Sequence, residues 1–305
     1  MTNENIHDVV VIGGGAAGLN GALMLVRSRR SVLVIDAGQP RNAPAAAMHG
    51  MIGHDGLAPA ELLARGRAEV TSYGGEFRSG AVTGARRVGD EFVVTVGGDQ
   101  EVRARRLLVT TGLVDELPEV AGLAEHWGHD VVHCPYCHGW EVRDRRIIVL
   151  GTGPMAVHQA LLFSQLSSEV TLLVHSAVVS EEQRADLAAR DIDVVDGTAV
   201  SVESASGAIT GLRLADDKVL AGEVIAVATR MVARADFLAD LGLTPVQHPS
   251  GMGVHLPVDQ LGRTAVPGVW AAGNVTDMTA QVGASAAAGA MAGAQINADL
   301  VMARS

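Results

Sequence analysis

The sequence predicts an α/β fold made of two domains, the second inserted into the first. Three observations predict it. A short β-branched run at residues 9–12 leads directly into a glycine-rich turn and a helical pattern, and the same order recurs from Arg146. Aromatic residues make up only 3% of the chain, whereas alanine and glycine are abundant, which favours closely packed α/β layers over an all-β sandwich. With 305 residues, the chain is long enough for two domains with separate cores.

The first glycine turn carries the complete fingerprint of a dinucleotide-binding unit. Gly13 makes the tight turn, Gly15 lets the backbone approach a pyrophosphate, and Gly18 permits close packing of the helix. The next strand, residues 31–35, is followed by Asp36, whose carboxylate can bond to ribose hydroxyls. The positive N-terminus of the helix faces the phosphates in such units, so we expect a dinucleotide here.

The segment after this unit is predicted to be a loop over the ligand. Residues 41–66 are rich in proline and alanine, and a helical stretch starts near Pro59. His49 and His54 lie in the loop and either contact a flavin or substrate or are merely solvated.

A small antiparallel layer is predicted next. Residues 77–82, 91–96 and 103–108 alternate apolar and polar side chains, as antiparallel strands do. Thr111 and Gly112 then close a strand.

A hinge at residues 115–122, which contain Pro118 and Gly122, is predicted to lead into the second domain. Residues 146–150 and the turn at residues 151–156 repeat the first strand and glycine turn. The strand after this turn, residues 170–174, is followed by His175, whereas the corresponding strand of the first repeat is followed by Asp36.

His175 follows that strand where a nicotinamide site needs an acid for the ribose diol, or arginines for a 2′-phosphate. Ser176 and Ala177 come next. Two alternatives stay open: a working nucleotide site, or a fold retained for packing.

The chain leaves the second domain at residues 229–235. A strand at 267–272 and a helix from about Gln281 to Met302 follow. We therefore predict a discontinuous first domain, residues 1–115 and 236–305, and an inserted domain, residues 116–235. Both are expected to be Rossmann-like, three-layer nucleotide-binding domains.

Both cysteines of the chain, Cys134 and Cys137, are separated by two residues within the second domain. A thiolate is the reactive form, and a Cys-x-x-Cys pair that opens a helix is stabilised by the helix N-terminus and by the neighbouring sulfur. Pro135 suits a first helical turn. The spacing therefore predicts a redox pair.

Two other interpretations of the cysteines remain. With His133 and His138 they could form half of a structural zinc site, but such sites usually take a second ligand pair at regular spacing, and the nearby His126 and His129 precede the cysteines. A buried, inert pair is the second alternative.

The formal charge of −11, from 23 basic and 34 acidic residues, argues against binding to nucleic acid or to an anionic membrane surface. Residues 1–8 are polar and lead into a strand, which predicts neither a signal peptide nor a spanning helix. No later window is apolar enough to cross a bilayer. We therefore expect a cytoplasmic protein, in which a disulfide is more often catalytic than structural.

Two nucleotide folds, the second inserted and carrying the Cys-x-x-Cys pair, resemble the low-molecular-weight thioredoxin reductases over nearly the whole chain. The resemblance implies a homodimer with FAD on the first domain. It also implies that Cys137 faces the flavin, that Cys134 exchanges with substrate, and that His138, after the second cysteine, moves protons. The N-terminus of the last helix would face the flavin ring and stabilise its anionic reduced form. The candidate FAD-binding residues are Gly13, Gly15, Ala16, Ala17, Gly18, Asp36, Ala37, Thr111, Gly112, Gly273, Asn274 and Gln281.

Three departures separate the chain from those reductases. His138 replaces an aspartate but still transfers protons. Asn274 replaces an aspartate that points toward the ribityl chain, which keeps a hydrogen bond but loses a charge. Ser176 and Ala177 replace two arginines that grip the 2′-phosphate of NADPH, and loss of such charge-assisted bonds, ~1.5 to 3 kcal/mol each, weakens binding by orders of magnitude.

A related branch is similar in its Cys-Pro-x-Cys-His sequence and its missing clamp: the FAD-dependent dithiol oxidases that close disulfides in small natural products such as gliotoxin and holomycin. The similarity implies that electrons pass from a substrate dithiol to the cysteine pair, to FAD and finally to O2, giving H2O2, while His138 takes the thiol proton. Trp127, Tyr136 and Trp140 lie near the pair in sequence and are either walls for a small apolar dithiol or ordinary core residues.

A dithiol oxidase is therefore the favoured function. The alternatives are an NAD(P)H-dependent reductase of thioredoxin or of a small disulfide, a ferredoxin-fed reductase and, from a different class, a flavin-binding regulator without turnover. The expected partner is a small-molecule dithiol or disulfide, or a thioredoxin-like protein. FAD is the expected cofactor, use of NADPH or NADH is left open, and no metal is expected.

Overall fold

A computed structural model describes residues 6–303 and divides into two compact units. The first unit comprises the described parts of Met1–Ala43, Leu57–Val114 and Met231–Ser305, and the second comprises Pro44–Gly56 and Asp115–Arg230. The predictions for residues 1–5 and 304–305, at the two ends of the first domain, lie outside the described residues. Residues 44–56 belong to the second of these units.

Six α-helices and nineteen strands are present within residues 6–303. The helices are α1 (Ala16–Arg27), α2 (Pro59–Ser72), α3 (Pro135–His138), α4 (Ala156–Phe163), α5 (Glu181–Ala188) and α6 (Val282–Met302). The strands are β1 (His7–Ile12), β2 (Val32–Asp36), β3 (Glu76–Ser79), β4 (Val82–Val88), β5 (Glu91–Val96), β6 (Gln100–Val109), β7 (Leu113–Glu116), β8 (Val131–Val132), β9 (Ile147–Gly151), β10 (Val170–Val174), β11 (Asp193–Asp196), β12 (Ala199–Ala205), β13 (Ala208–Leu214), β14 (Val219–Ala221), β15 (Val224–Val227), β16 (Arg230–Ala233), β17 (Val246–Gln247), β18 (Gly253–His255) and β19 (Val269–Ala271).

The first unit is built on a seven-stranded sheet. Its order is β3-β2-β1-β6-β5-β4, and β19 also pairs with β6. β1 runs parallel to β2 and β6, whereas β4, β5 and β6 pair antiparallel as the alternating pattern predicts. The prediction was wrong for β3, which pairs parallel with β2. Alternation indicates a strand with one covered face but does not specify the partner or its direction.

Both faces of this sheet are buried, as is typical of parallel sheets. Val9 and Val11 pack in one core cluster together with side chains of α1 and α6, while Val10 and Ile12 pack in the cluster on the other face. Helix α6 lies very close to α1, because an added Cβ at Gly289 would be 1.9 Å from the carbonyl oxygen of Ala17. The small residues of α6 therefore serve close helix packing.

The second unit contains a parallel five-stranded sheet in the order β11-β10-β9-β15-β8, and an antiparallel sheet of β12, β13 and β14. Ile147 and Val149 of β9 pack in one core cluster, and Ile148 and Leu150 pack in another, so this sheet is also covered on both faces. The predicted fold class, two Rossmann-like α/β domains, is confirmed. No helix in the described ranges is long and apolar enough to cross a membrane.

Candidate active site

Cys134 and Cys137 form a disulfide, with their Cα atoms 5.3 Å apart. Cys134 is the N-cap of α3, and its carbonyl oxygen accepts from the backbone N–H groups of Cys137 (3.2 Å) and His138 (3.1 Å). Pro135 occupies the start of the helix, as predicted. However, α3 is a single turn of four residues, so few peptide dipoles are aligned behind the pair. The predicted help from the helix N-terminus is therefore small.

Two hydrogen bonds fix the residue that precedes the redox pair. His133 follows β8, and its Nδ1 donates to the carbonyl of Val227 on β15 at 3.2 Å. The carbonyl of His133 accepts from Nε2 of the buried Gln159 on α4 at 2.8 Å. Because β8, β15 and β9 run parallel, the redox pair follows the same carboxyl edge of the sheet as the second glycine turn.

His138 is partly buried in the second unit, and burial lowers the pKa of its imidazole below the usual 6.5. The negative charge of Glu141 raises this pKa, whereas the charges of His49 and His129 lower it further. The net effect is a lowered pKa, so His138 is neutral near pH 7 and can accept a proton.

The loop histidines of residues 41–66 have different surroundings, although both lie in the second unit. His49 lies between the carboxylates of Asp55 and Glu141, each at 3.4 Å. Nδ1 of His54 is buried and has no hydrogen-bond partner among the described residues. Sequence reasoning missed Asp55 and Glu141, because nothing in the sequence distinguishes an exposed carboxylate that contacts a histidine in the folded chain from one that does not.

The three aromatic residues near the pair do not form one group. Trp127 packs against a core cluster of the second unit, in agreement with the core interpretation. Tyr136 is 68% exposed and Trp140 is 66% exposed. The guanidinium of Arg143 lies 4.1 Å from the centre of the Trp140 ring. Of these three residues, Tyr136 and Trp140 present apolar surface that a substrate could contact.

The first glycine turn has the shape that a dinucleotide requires. An added Cβ at Gly13 would be 2.4 Å from the carbonyl oxygen of Thr110, and one at Gly18 would be 1.9 Å from that of Gly13. At Gly15, by contrast, no heavy atom of the described residues lies within 4 Å of the added Cβ. No side chain of the described residues caps helix α1 at this end, so its first N–H groups are available to a phosphate.

Asp36 ends β2 beside this turn. An added Cβ at Gly14 would be 2.8 Å from the Asp36 carboxylate, so the carboxylate lies against the turn. Asp36 also accepts a hydrogen bond from Arg67 of α2, whose guanidinium lies 5.1 Å from the centre of the Phe77 ring. Sequence reasoning missed Arg67, which lies 31 residues away in the chain. These groups fit the adenosine end of FAD.

The remaining candidate FAD-binding residues are also in the first unit. The hydroxyl of Thr111 donates to the carbonyl of Arg234 at 2.5 Å, and the Arg234 N–H donates to the carbonyl of Gly112 at 3.0 Å. Nδ2 of Asn274 donates to the carbonyls of Asp277 (3.0 Å) and Ala280 (2.8 Å), and thereby shapes the loop before α6. The other positions are Ala16 and Ala17 in the first turn of α1, the exposed Ala37 after β2, Gly273 in a 3-10 turn, and Gln281 at the N-cap of α6.

The second glycine turn is intact, but the residues after β10 do not form a phosphate clamp. Nδ1 of His175 accepts from the N–H of Ala199 at 3.0 Å, and burial lowers the pKa of this imidazole. Ser176 is exposed, and Ala177 packs 3.2 Å from the position of an added Cβ at Gly151. His175 is thus a neutral residue that binds the backbone, and no cation stands at residues 175–177.

The structure brings the candidate residues together as two groups, one in each unit. The twelve candidate FAD-binding residues lie in the first unit, and Cys134, Cys137 and His138 lie in the second. Within residues 6–303, no three His, Cys, Asp or Glu side chains are grouped so that they could hold a metal ion.

Comparison with known proteins identifies relatives over almost the whole chain. A family model described as pyridine nucleotide-disulphide oxidoreductase matches residues 7–294. The thioredoxin reductase tcpT of Claviceps purpurea (strain 20.1) is 33% identical over 325 residues, which cover 98% of this chain and 97% of the relative. The crystal structure of HlmI is 44% identical, with a TM-score of 0.91, and the match covers 99% of this chain and 94% of HlmI. An oxidoreductase from Agrobacterium tumefaciens is 34% identical, with a TM-score of 0.92, and covers 98% of this chain and 100% of its own.

Proposed function

Because the chain belongs to the pyridine nucleotide-disulphide oxidoreductase family and is a thioredoxin-reductase-like enzyme, we propose that it oxidises a dithiol to a disulfide through Cys134 and Cys137, with FAD as cofactor and O2 as acceptor. Two electrons and two protons leave the substrate and convert O2 into H2O2. The proposal includes a homodimer and a small-molecule dithiol as substrate, as the family resemblance implies, and a cytoplasmic location, as the polar N-terminal residues suggest.

FAD would be held by the first unit. The turn at Gly13, Gly15 and Gly18 would take the pyrophosphate, Asp36 would bind the ribose, and the loop ordered by Asn274 would approach the flavin end. When bound, FAD supplies a two-electron acceptor for the reduced cysteine pair and a reductant for O2.

The exchange itself needs only the cysteine pair and His138. A substrate thiol gives its proton to the neutral His138, and the resulting thiolate attacks Cys134, breaking the Cys134–Cys137 bond and releasing the Cys137 thiolate. The second substrate thiol gives its proton to the Cys137 thiolate and attacks the substrate sulfur that is bound to Cys134, breaking that bond and releasing the Cys134 thiolate. The substrate leaves as a disulfide, and the two cysteines have gained two electrons.

The residues that follow β10 favour a dithiol over NADPH as the electron donor. His175 is neutral and is bound to the backbone of Ala199, and neither Ser176 nor Ala177 carries a charge. The 2′-phosphate of NADPH would therefore lack its charge-assisted hydrogen bonds at this position.

A reductase that uses NADH or NADPH is the second candidate, and the second glycine turn favours it. An added Cβ at Gly153 would meet no heavy atom of the described chain within 4 Å, so a phosphate has room there. Helix α4 begins at this turn without a side-chain cap from residues 6–303.

Anaerobic mixing of the FAD-loaded protein with NADPH, NADH or dithiothreitol, followed by flavin absorbance, tests the proposal. We expect rapid bleaching by dithiothreitol alone, with H2O2 formed when air is readmitted. Rapid bleaching by NADPH or NADH would overturn the oxidase assignment and favour the reductase.

A further inference from the structure

Arg67 of α2 holds the carboxylate of Asp36 at the end of β2. Its Nη2 donates to Oδ2 of Asp36, and the two side chains are 37% and 15% exposed, respectively. The same carboxylate lies against the glycine turn, because an added Cβ at Gly14 would be 2.8 Å from both its Cγ and its Oδ2. The Asp36 side chain is therefore confined between the guanidinium of Arg67 and the turn.

The other oxygen of this carboxylate, Oδ1, is available to a ligand. Within residues 6–303, the Asp36 side chain forms no hydrogen bond besides the one with Arg67. The carboxyl group of an aspartate turns about its Cβ–Cγ bond in a broad energy well, so an unrestrained Asp36 would present its oxygens in many directions. Because Oδ2 is bound to Arg67, the direction of Oδ1 is fixed as well.

The guanidinium of Arg67 is itself supported by Phe77. It lies 5.1 Å from the centre of the Phe77 ring, which is within the range of a cation–π contact. Phe77 is on β3, where it pairs with Val34 of β2, and it packs against the core cluster that contains Val34. The position of Arg67, and through it that of Asp36, is therefore tied to the sheet.

We propose that Arg67 is a positioning residue that aims Oδ1 of Asp36 at the 2′-hydroxyl of the adenosine ribose of FAD and thereby makes cofactor binding depend on that hydroxyl. The inference rests on the proposed function, since that function places FAD on the first unit. An acid at this point of a dinucleotide-binding unit accepts from the ribose 2′-hydroxyl, and the bond needs a carboxylate of fixed direction. Arg67 also offsets the negative charge of Asp36 beside the phosphate turn, which favours the dinucleotide with or without the hydroxyl.

These two contributions of Arg67 are separated by comparing FAD with its 2′-deoxyadenosine analogue. Loss of the charge offset weakens the binding of both ligands by the same factor, whereas loss of positioning weakens the binding of FAD alone. The ratio of the two dissociation constants therefore reports on positioning. A merely structural role of Arg67 would lower Tm or weaken the binding of both ligands, and would leave the ratio unchanged.

Quenching of flavin fluorescence on addition to the full-length, flavin-free protein measures both dissociation constants. We expect removal of the 2′-hydroxyl to weaken binding to the wild type roughly 10- to 150-fold, the range for a hydrogen bond to a charged group. Arg67→Met should lower this ratio by about 2-fold or more, the smallest coupling typical of groups in contact. Arg67→Lys, which keeps a cation, should give an intermediate ratio. The control Arg65→Met, which loses an exposed ion pair with Glu61 on the same helix, should bind both ligands like the wild type.

A ratio in Arg67→Met equal to that of the wild type would overturn the inference, and so would a wild type that binds both ligands equally. If Arg67→Met fails to fold, Phe77→Leu removes the ring beneath the guanidinium and keeps an apolar side chain there. A lowered ratio in that variant supports the inference, and an unchanged ratio contradicts it. A wild type that binds no FAD overturns the proposed function as well, whereas lost dithiol oxidation with the expected ratios contradicts the proposed function alone.

Discussion

The first glycine turn offers two positions at which an alanine substitution should have different consequences. An added Cβ at Gly18 would lie 1.9 Å from the carbonyl oxygen of Gly13 and 2.7 Å from the hydroxyl of Thr110. At Gly15 the same Cβ would meet no heavy atom of the described chain within 4 Å, and the backbone there is extended (φ −78°, ψ −172°), which alanine adopts freely. Gly18→Ala must therefore displace backbone, whereas Gly15→Ala only fills space that a phosphate would use.

The expected magnitudes follow from these contacts. Overpacking at Gly18 costs ~1 to 3 kcal/mol, which corresponds to a fall in Tm of roughly 2 to 12 °C for a unit of this size. At Gly15 the weaker N-cap preference of alanine is opposed by the lower entropy of the unfolded chain, so stability should change by no more than about 1 kcal/mol. Loss of one charge-assisted hydrogen bond to the pyrophosphate, ~1.5 to 3 kcal/mol, weakens FAD binding roughly 10- to 150-fold.

Thermal unfolding of the FAD-free variants by circular dichroism measures the first effect, and quenching of flavin fluorescence on FAD addition measures the second. We expect Gly15→Ala to unfold close to the wild type but to bind FAD weakly. The reasoning would be refuted if Gly15→Ala bound FAD like the wild type, or if it lowered Tm as much as Gly18→Ala.

Three further predictions concern the redox pair and the second turn. Ser176→Arg combined with Ala177→Arg should raise the rate of flavin reduction by NADPH in rapid mixing, because two guanidinium groups become available to the 2′-phosphate; an unchanged rate would mean that the second turn does not receive the nucleotide. Cys137→Ser should retain FAD but lose bleaching by dithiothreitol, and loss of FAD instead would indicate a structural role for the pair. The rate of bleaching should hold above pH 6.5 and fall as the pH drops through the lowered pKa of His138, because only the neutral imidazole accepts the thiol proton. His138→Gln should remove this limb and slow bleaching by roughly 10²- to 10⁴-fold, so a limb that persists would exclude His138 as the base.

Much of the fold was accessible from local patterns. Both glycine turns follow apolar β-branched runs, and the structure places β1 and α1, and then β9 and α4, at these positions. The resemblance to thioredoxin reductases is confirmed by the family match over residues 7–294 together with the 33% identity to the thioredoxin reductase tcpT of Claviceps purpurea. These signals are readable because strand, turn and helix are adjacent in the chain.

Long-range partnerships were not accessible in the same way. The parallel pairing of β3 with β2, the hydrogen bond of Arg67 to Asp36, and the contact of His49 with Glu141 each join residues that no periodicity connects. The length of α3 was also missed, since a Cys-Pro start signals where a helix begins but not where it ends.

The most direct measurement is the oxygen balance of FAD-loaded protein supplied with a dithiol in air, without any nicotinamide nucleotide. We expect one H2O2 for each disulfide formed, and loss of both products in Cys134→Ser. Disulfide formation that persists in Cys134→Ser, or peroxide that appears only when NADPH is added, would contradict electron transfer from a dithiol through this cysteine pair to O2.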